Sequence, residues 1–237
     1  MRAYKYYDFI TAMFVAVLLI SNIASAAKIV DWGVSVFGLR LAFDAGTLVF
    51  PISYIFGDIL TEVYGYKQSR RVIWSGFVAA ALMAATFWVV GLMPGEAEWQ
   101  GYAGQTAYNA ILGGVASGGI IVASLAAYFA GEFSNSFILA KIKVMTEGRW
   151  LWLRTISSTL IGEGVDTIIF IGIATWFGVF PPEIMTSLIV SNYIFKVSIE
   201  VILTPVTYAV VTFLKQAEQE DYYDRNTNFN PFSLAIK

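Results

Sequence analysis

Several apolar stretches, each about long enough to cross a lipid bilayer, dominate the sequence. A helix that spans the hydrocarbon core needs about 20 apolar residues, and residues 72–93 satisfy this without a charged side chain. Only 14% of all residues are charged, whereas soluble domains contain roughly 25%. Because such a chain cannot cover its surface in water, the pattern predicts an all-α, polytopic membrane protein in contact with the lipid bilayer.

The apolar stretches predict six transmembrane helices, which form a single transmembrane domain over residues 1–214. Pro51 and Pro205 remove backbone donors inside two of these helices, so we expect a kink at Pro51 and regard both prolines as candidate hinges. Residues 215–237 are polar and aromatic and predict a loosely held cytoplasmic tail. The predicted helices are 8–27, 43–64, 72–93, 111–140, 153–177 and 184–214, with a loop at 94–110.

The distribution of Lys and Arg predicts that both termini are cytoplasmic. With six spans, 12 of the 15 basic residues fall on the side of the termini, 2 fall on the other side, and Lys196 lies within a span.

The chain has no cysteine or histidine, which excludes thiolate and imidazole metal sites and nucleophiles activated by histidine. We expect no cofactor and no metal. The absence of a basic tract argues against nucleic acid as a partner.

Ionisable residues inside the predicted spans are the main indication of function. A charged side chain at the centre of a spanning helix costs ~2.5–3.5 kcal/mol on insertion scales. Glu132 and Asn135 are three residues apart, as are Glu163 and Asp166, so each pair shares one helix face. Two such polar faces would form a hydrated site for a polar solute within the membrane.

The last predicted span carries Asn192, Lys196 and Glu200, one helical turn apart on one face. One interpretation is an internal Lys–Glu pair that neutralises itself or locks two helices together. The acids still outnumber the one deeply placed base, so at least one carboxyl group must be protonated, hydrated or paired with a cationic ligand. This surplus of buried acid favours a transport pathway.

A second group of charges lies toward the cytoplasmic end of the predicted spans. Asp58 and Glu62 precede a cluster of basic residues, and they could form either a solvated helix terminus or an inner gate with exchanging arginine partners. Arg154 is ambiguous in the same way. The candidate gating or coupling residues are Asp58, Glu62, Arg154 and Glu200.

Three segments share a glycine, an acid and then two polar residues at the same offsets. They occupy residues 57–62, 131–136 and 162–167. Duplicated halves are common in transporters, but chance is an alternative explanation for six positions.

The stretches DILTEVYGYKQSRRV, GEFSNSFILAKIK and LWLRTISSTLIGEGVDTIIF resemble the queuosine precursor transporter family, also called the vitamin uptake transporter family. The likeness extends over residues 43–205. It implies a transporter, not an enzyme, in a bacterial or archaeal inner membrane. The implied substrates are 7-cyano-7-deazaguanine and 7-aminomethyl-7-deazaguanine, which are salvaged for tRNA modification.

A guanine-like base suits these residue types. A carboxylate can accept both N–H groups of one ring edge, and an amide or ammonium group can donate to the ring carbonyl. Glu132 or Asp166 is the candidate for the ring edge, and Phe133, Tyr193 or Phe195 could stack on the base. The candidate substrate-binding residues are Asn22, Glu132, Asn135, Glu163, Asp166, Asn192 and Lys196, with no catalytic or metal-binding residue.

Other function classes fit parts of the sequence. A substrate-binding membrane subunit of a multi-component ATP-driven vitamin importer would have a similar size and six spans. A membrane enzyme that holds Mg²⁺ would need several grouped carboxylates, and a structural subunit leaves the acidic surplus unexplained. Gly114 and Gly118 form a close-packing face, which could join helices of one chain or two copies in a homodimer.

Overall fold

The computed structural model describes residues 4–36, 39–113 and 118–233, and most of these residues are helical. Short 3-10 helices occupy Ala45–Leu48 and Pro182–Ile184. Strands β1 (Ile29–Val36) and β2 (Leu39–Asp44) pair in antiparallel fashion. The α-helices are α1 (Tyr7–Ala27), α2 (Phe50–Tyr64), α3 (Tyr66–Leu92), α4 (Ala97–Tyr102), α5 (Gly104–Ile111), α6 (Gly118–Met145), α7 (Leu151–Trp176) and α8 (Met185–Glu218).

Four described segments are long and apolar enough to cross a membrane. They are α1, α3, α7 and the segment Pro182–Glu218, which contains α8. Helix α3 exposes Leu82, Trp88 and Leu92, which is the expected surface of a helix in contact with lipid. The prediction of a helical, multi-pass membrane protein is confirmed at this level.

The second predicted span differs from the observed helix. Residues Phe43 and Asp44 belong to β2, and α2 begins only at Phe50. The 15 residues of α2 extend about 22 Å, which is less than the ~30 Å hydrocarbon core. Pro51 lies in the first turn of α2, where its missing N–H group has no intrahelical partner to lose, so the predicted kink at Pro51 is wrong. Pro205 does lie inside α8.

The region between α3 and α6 also differs from its prediction. The predicted loop at 94–110 contains two short helices, α4 and α5. The predicted helix 111–140 corresponds to α6, which begins at Gly118 and continues to Met145. Gly114, one half of the predicted close-packing face, lies outside the described residues.

A β-hairpin that we did not predict covers one end of the bundle. Ile29 lies opposite Asp44 and Val30 lies opposite Phe43. Isolated two-stranded hairpins are marginally stable in water, and this one packs on α8 through Phe43, whose ring stacks on Phe195 with centroids 4.8 Å apart. We call this side of the molecule the hairpin end.

The first and last described segments of the chain meet at the opposite side, which we call the terminal end. The backbone N–H groups of Lys5 and Tyr6 donate to the Glu218 carboxylate over 2.9 and 2.7 Å. The residues after α8 fold back onto α3, where Arg70 Nη1 donates to the carbonyl oxygens of Asn228 and Asn230 over 2.8 Å each. The prediction of a loosely held tail is therefore wrong, because Arg70 and its neighbours hold its backbone.

Candidate functional site

Polar side chains inside the bundle form three successive layers from the hairpin end to the terminal end. The first lines a cavity between α1, α2, α3, α6, α7 and α8. The second, which we call the acid layer, consists of Tyr54, Asp58, Glu132, Asn135, Glu163 and Glu200. The third, the Glu62 network, consists of Glu62, Lys143, Arg154, Lys215 and Asp221.

The cavity combines apolar walls with a few polar groups. The space between these walls is about 710 Å³ when the open space at its mouth is included. Phe50 and Phe170 contribute aromatic rings to the wall. Its polar side chains are Ser21, Asn22, Ser25, Asp44, Thr47, Ser124, Asp166 and Lys196.

Asp44 fixes the part of the cavity nearest the hairpin. It is the last residue of β2 and caps the 3-10 helix, since its carboxylate accepts from Thr47 N over 3.1 Å and from Thr47 Oγ1 over 2.7 Å. Ser25 Oγ of α1 donates to the same carboxylate over 2.5 Å. These bonds hold an acid in the cavity wall at the interruption between β2 and α2.

The deeper part of the cavity contains an ion pair between α7 and α8. Lys196 Nζ lies 2.6 Å from Asp166 Oδ2 and 3.1 Å from Glu163 Oε2. The same ammonium group lies 4.4 Å from the centroid of the Phe50 ring, a favourable cation–π position. The Lys196–Glu200 pair that the spacing suggested is absent from these contacts, because Lys196 reaches across to α7.

The acid layer lies next to the cavity, and most of its polar atoms have no partner among the described residues. Asn135 Nδ2 donates to Asp58 Oδ1 over 2.7 Å. Both carboxylate oxygens of Glu132 and of Glu200 are buried without a hydrogen bond, as is the Tyr54 hydroxyl group. Glu132 and Tyr54 are both 0% exposed, so bulk solvent does not reach them.

Glycines of the three similar segments bring these acids together. An ideal Cβ on Gly131 would lie 3.1 Å from the carbonyl oxygen of Gly162, and one on Gly162 would lie 3.1 Å from that of Gly131. An ideal Cβ on Gly57 would lie 3.0 Å from Glu132 Oε2. The absence of side chains at these positions lets α2, α6 and α7 approach closely, and the acid after each glycine then enters the same layer.

The Glu62 network closes the terminal end with a buried carboxylate and three cations. Arg154 binds Glu62 in bidentate fashion, with Nε and Nη2 at 2.7 and 2.8 Å from its two oxygens. Lys215 Nζ lies 2.5 Å and Lys143 Nζ 3.5 Å from Glu62 Oε1. Glu62 and Asp58 are both 0% exposed, so the interpretation of a solvated helix terminus is wrong.

The tail takes part in this network through Asp221. Its carboxylate lies 2.6 Å from Lys143 Nζ and 2.8 Å from Lys215 Nζ. Partial burial acts to raise the pKa of Asp221, but the hydrogen bonds from these two ammonium groups outweigh it and lower that pKa below its usual range. Lys143 also donates to the carbonyl oxygens of Glu62 and Tyr222 over 2.5 and 2.8 Å.

The predicted site residues are thus distributed over the three layers. Asn22, Asp166 and Lys196 line the cavity. Asn192 lies outside its wall, 3.3 Å from Thr47 Oγ1. The other predicted residues belong to deeper layers: Glu132, Asn135, Glu163, Asp58 and Glu200 to the acid layer, and Glu62 and Arg154 to the Glu62 network.

Sequence reasoning missed several cavity residues. Asp44, Ser25 and Thr47 lie near the predicted membrane surface, where polar residues carry little information, and they converge because the 3-10 helix after β2 packs on α1. The predicted stacking residues differ too, since Phe195 packs on Phe43 and Phe133 packs on Phe129. Phe50 and Phe170 line the cavity instead, and no local pattern distinguishes them from lipid-facing rings.

Comparison with known proteins adds independent information. A family model described as "Putative vitamin uptake transporter" matches residues 44–210. The chain is 27% identical to a "Probable queuosine precursor transporter" of Bacillus subtilis (strain 168), over 78% of each chain. It is 26% identical to the "Queuosine precursor transporter" of Escherichia coli (strain K12), over 80% of each chain. No solved structure gave a significant match.

These matches confirm the resemblance predicted from the three sequence stretches. The family model covers well over half of the chain, including the whole acid layer. The relatives are named as transporters and not as enzymes. The chain belongs to the vitamin uptake transporter family and is a membrane transporter.

Proposed function

We propose that the protein imports queuosine precursors, 7-cyano-7-deazaguanine or 7-aminomethyl-7-deazaguanine, across a bacterial or archaeal inner membrane. The observation that carries this proposal is the cavity, in which Asp44, Asp166, Lys196 and Asn22 face one space between apolar walls. The names of the relatives support the substrate class.

The cavity offers complementary groups for each part of a deazaguanine. The Asp166 or Asp44 carboxylate would accept from the ring N–H and the adjacent amino group. Lys196 or the Asn22 amide would donate to the ring carbonyl, and Phe50 or Phe170 would stack on its face. A cationic aminomethyl arm would be attracted by the second carboxylate.

We interpret the conformation as outward-facing. The cavity lies on the hairpin side of the acid layer, whereas the Glu62 network and the tail occlude the terminal side. Import would require this network to separate, so Glu62 and Arg154 would form the inner gate, with Asp58 and Glu200 behind it. Alternating access of this kind moves helices around a site near the midplane.

We further propose six membrane crossings with both termini in the cytoplasm. The termini meet at one end of the bundle, which requires an even number of crossings. Helices α2 and α6 would add two to the four apolar segments. The short α2, preceded by a 3-10 helix, would be the discontinuous crossing that often builds transporter sites. Residues 215–237 would then lie in the cytoplasm.

Uptake by the purified chain tests the proposal. The protein is reconstituted alone in liposomes loaded with unlabelled 7-cyano-7-deazaguanine, and entry of the labelled base by exchange is measured. We expect exchange that unlabelled 7-aminomethyl-7-deazaguanine inhibits and that adenine does not. Equal inhibition by adenine would contradict recognition of the guanine-like edge.

The same experiment separates the proposal from the substrate-binding subunit of an ATP-driven importer. Such a subunit would bind the base but would not exchange it across the membrane without partner proteins. Binding without exchange would therefore favour the subunit, and the absence of both would exclude 7-deazaguanines as substrates.

A further inference from the structure

The acid layer and the neighbouring ion pair contain more negative than positive groups. Asp58, Glu132, Glu163, Asp166 and Glu200 are all buried, and among the described residues the ammonium group of Lys196 pairs with only two of them, Asp166 and Glu163. An uncompensated buried charge costs several kcal/mol, so such groups bind a cation or a proton instead of remaining ionised. Among the described residues, no three acids are grouped as a metal-ion site, and a proton can neutralise a single carboxyl group without further ligands.

Glu132 is the acid whose surroundings most favour a proton. Lys196 forms its ion pairs with Asp166 and Glu163, and Asn135 donates to Asp58. Among the described residues, Glu132 has neither kind of partner: both of its oxygens are buried without a hydrogen bond. Gly57 of α2 lies beside its carboxyl group, since an ideal Cβ on Gly57 would lie 3.0 Å from Glu132 Oε2.

The titratable groups that face Glu132 are acids and phenols. They are Tyr54 and Asp58 from α2, Tyr128 from α6 itself, Glu163 and Asp166 from α7, and Glu200 from α8. Helix α3 also packs against α6, and it has no charged residue from Val72 to Leu92. The base of the neighbouring ion pair, Lys196, is already shared by Asp166 and Glu163.

We propose, on the basis of the import function, that the Glu132 carboxyl group binds a proton whose passage to the cytoplasm drives import. The proton would enter from the cavity, where Asp166 and Lys196 are accessible, and would pass Glu163 to form an O–H bond on Glu132. Tyr54, an unpartnered and fully buried hydroxyl group beside these acids, offers an acceptor for that O–H. The O–H bond would break when the Glu62 network opens and water reaches Glu132 from the terminal end.

Gradient-driven uptake by reconstituted protein tests this coupling. Liposomes that contain the full chain receive labelled 7-cyano-7-deazaguanine with the outside more acidic than the inside. One coupled proton sustains about a tenfold concentration ratio for each pH unit of gradient. We expect accumulation that a protonophore abolishes. Accumulation that follows a sodium gradient instead, or simple equilibration, would overturn the proposal.

Substitutions of Glu132 test whether this residue binds the coupled proton. Glu132→Gln should lose accumulation and keep exchange at equal pH, since a neutral amide mimics the protonated acid. Glu132→Asp keeps a titratable group and should retain accumulation, as should the control Glu98→Gln, which alters an exposed acid of α4. Gradient-driven accumulation by Glu132→Gln, or its equal loss in Glu132→Asp and Glu132→Gln, would overturn the assignment.

A measurement without substrate distinguishes failure of this inference from failure of the proposed function. Infrared spectroscopy of the native protein at neutral pH should show a protonated carboxyl band that Glu132→Gln removes and Glu98→Gln retains. If the band is present but no deazaguanine is exchanged, the proton site stands and the substrate is wrong. If Glu132→Gln retains every such band, the proton site is wrong whatever the substrate.

Discussion

The Asp166 carboxylate faces the cavity and lies 2.6 Å from Lys196 Nζ. If this carboxylate accepts hydrogen bonds from the ring edge of the substrate, Asp166→Asn removes a charge-assisted hydrogen bond worth about 1.5–3 kcal/mol. The expected result is roughly a 10- to 150-fold loss of affinity. Equilibrium binding of labelled 7-cyano-7-deazaguanine measures this loss. Asp8→Asn, at an exposed position in the first turn of α1, should bind normally. If Asp166→Asn binds the base with native affinity, Asp166 does not contact the substrate.

Glu62 illustrates a different use of a buried acid, because three cations surround it. Glu62→Gln leaves Arg154 and two lysines without their shared counter-ion, and breaking a buried pair in this way costs about 3–5 kcal/mol. We expect a clear loss of stability in unfolding of the detergent-solubilised protein. Glu183→Gln, an exposed control in the 3-10 helix before α8, should unfold like the native chain. If Glu62→Gln and the native protein unfold with equal midpoints, the Glu62 network contributes little to stability.

At the scale of elements, the contact between α6 and α7 depends on two glycines. An ideal Cβ on Gly162 would lie 2.7 Å from Asn135 Cβ and 3.1 Å from the Gly131 carbonyl oxygen. Gly162→Ala should therefore destabilise the protein by about 1–3 kcal/mol. Gly172 of the same helix has nothing within 4 Å of its ideal Cβ, so Gly172→Ala should be neutral or stabilising by about 0.5–1 kcal/mol. Paired thermal unfolding curves test the difference, and equal shifts would contradict close packing.

The attachment of the tail to α3 is also testable at this scale. Arg70 donates to two tail carbonyl groups, whereas the neighbouring Arg71 has a 3.4 Å hydrogen bond to Gln68 within its own helix. Arg70→Gln should loosen the tail and speed tryptic cleavage after the exposed Arg225 several-fold. Arg71→Gln should leave the rate unchanged. If the native protein, Arg70→Gln and Arg71→Gln are all cleaved at the same rate, Arg70 does not hold the tail.

For the whole molecule, the native chain lacks cysteine, so single cysteines can report the topology. With six crossings and cytoplasmic termini, a membrane-impermeant maleimide should label Glu98→Cys and Glu183→Cys in intact cells. It should label Asn226→Cys only after permeabilisation, and the native chain should stay unlabelled. Labelling of Asn226→Cys in intact cells would reverse the proposed orientation. The homodimer stays a prediction, which the mass of the detergent-solubilised particle would decide.

The sequence by itself determined the membrane class, the family and the identity of most buried charges. These properties follow from local composition, since an acid inside an apolar stretch such as 131–136 or 162–167 is visible without any partner. It also indicated that acids exceed bases inside the membrane. The count of helices was less accessible, because α2 is short, wholly enclosed by other helices and preceded by a hairpin.

Only the tertiary structure decided which charges meet. Lys196 could pair with Glu200 on its own helix by spacing, but the α7–α8 contact brings Asp166 closer. Glu62 lies next to Arg70 and Arg71 in sequence, yet its partners come from α6, α7 and α8. The physical reason is that side-chain pairing within the membrane depends on how the helices pack. That packing needs glycines at three distant positions of the chain, so it cannot be read from any single stretch.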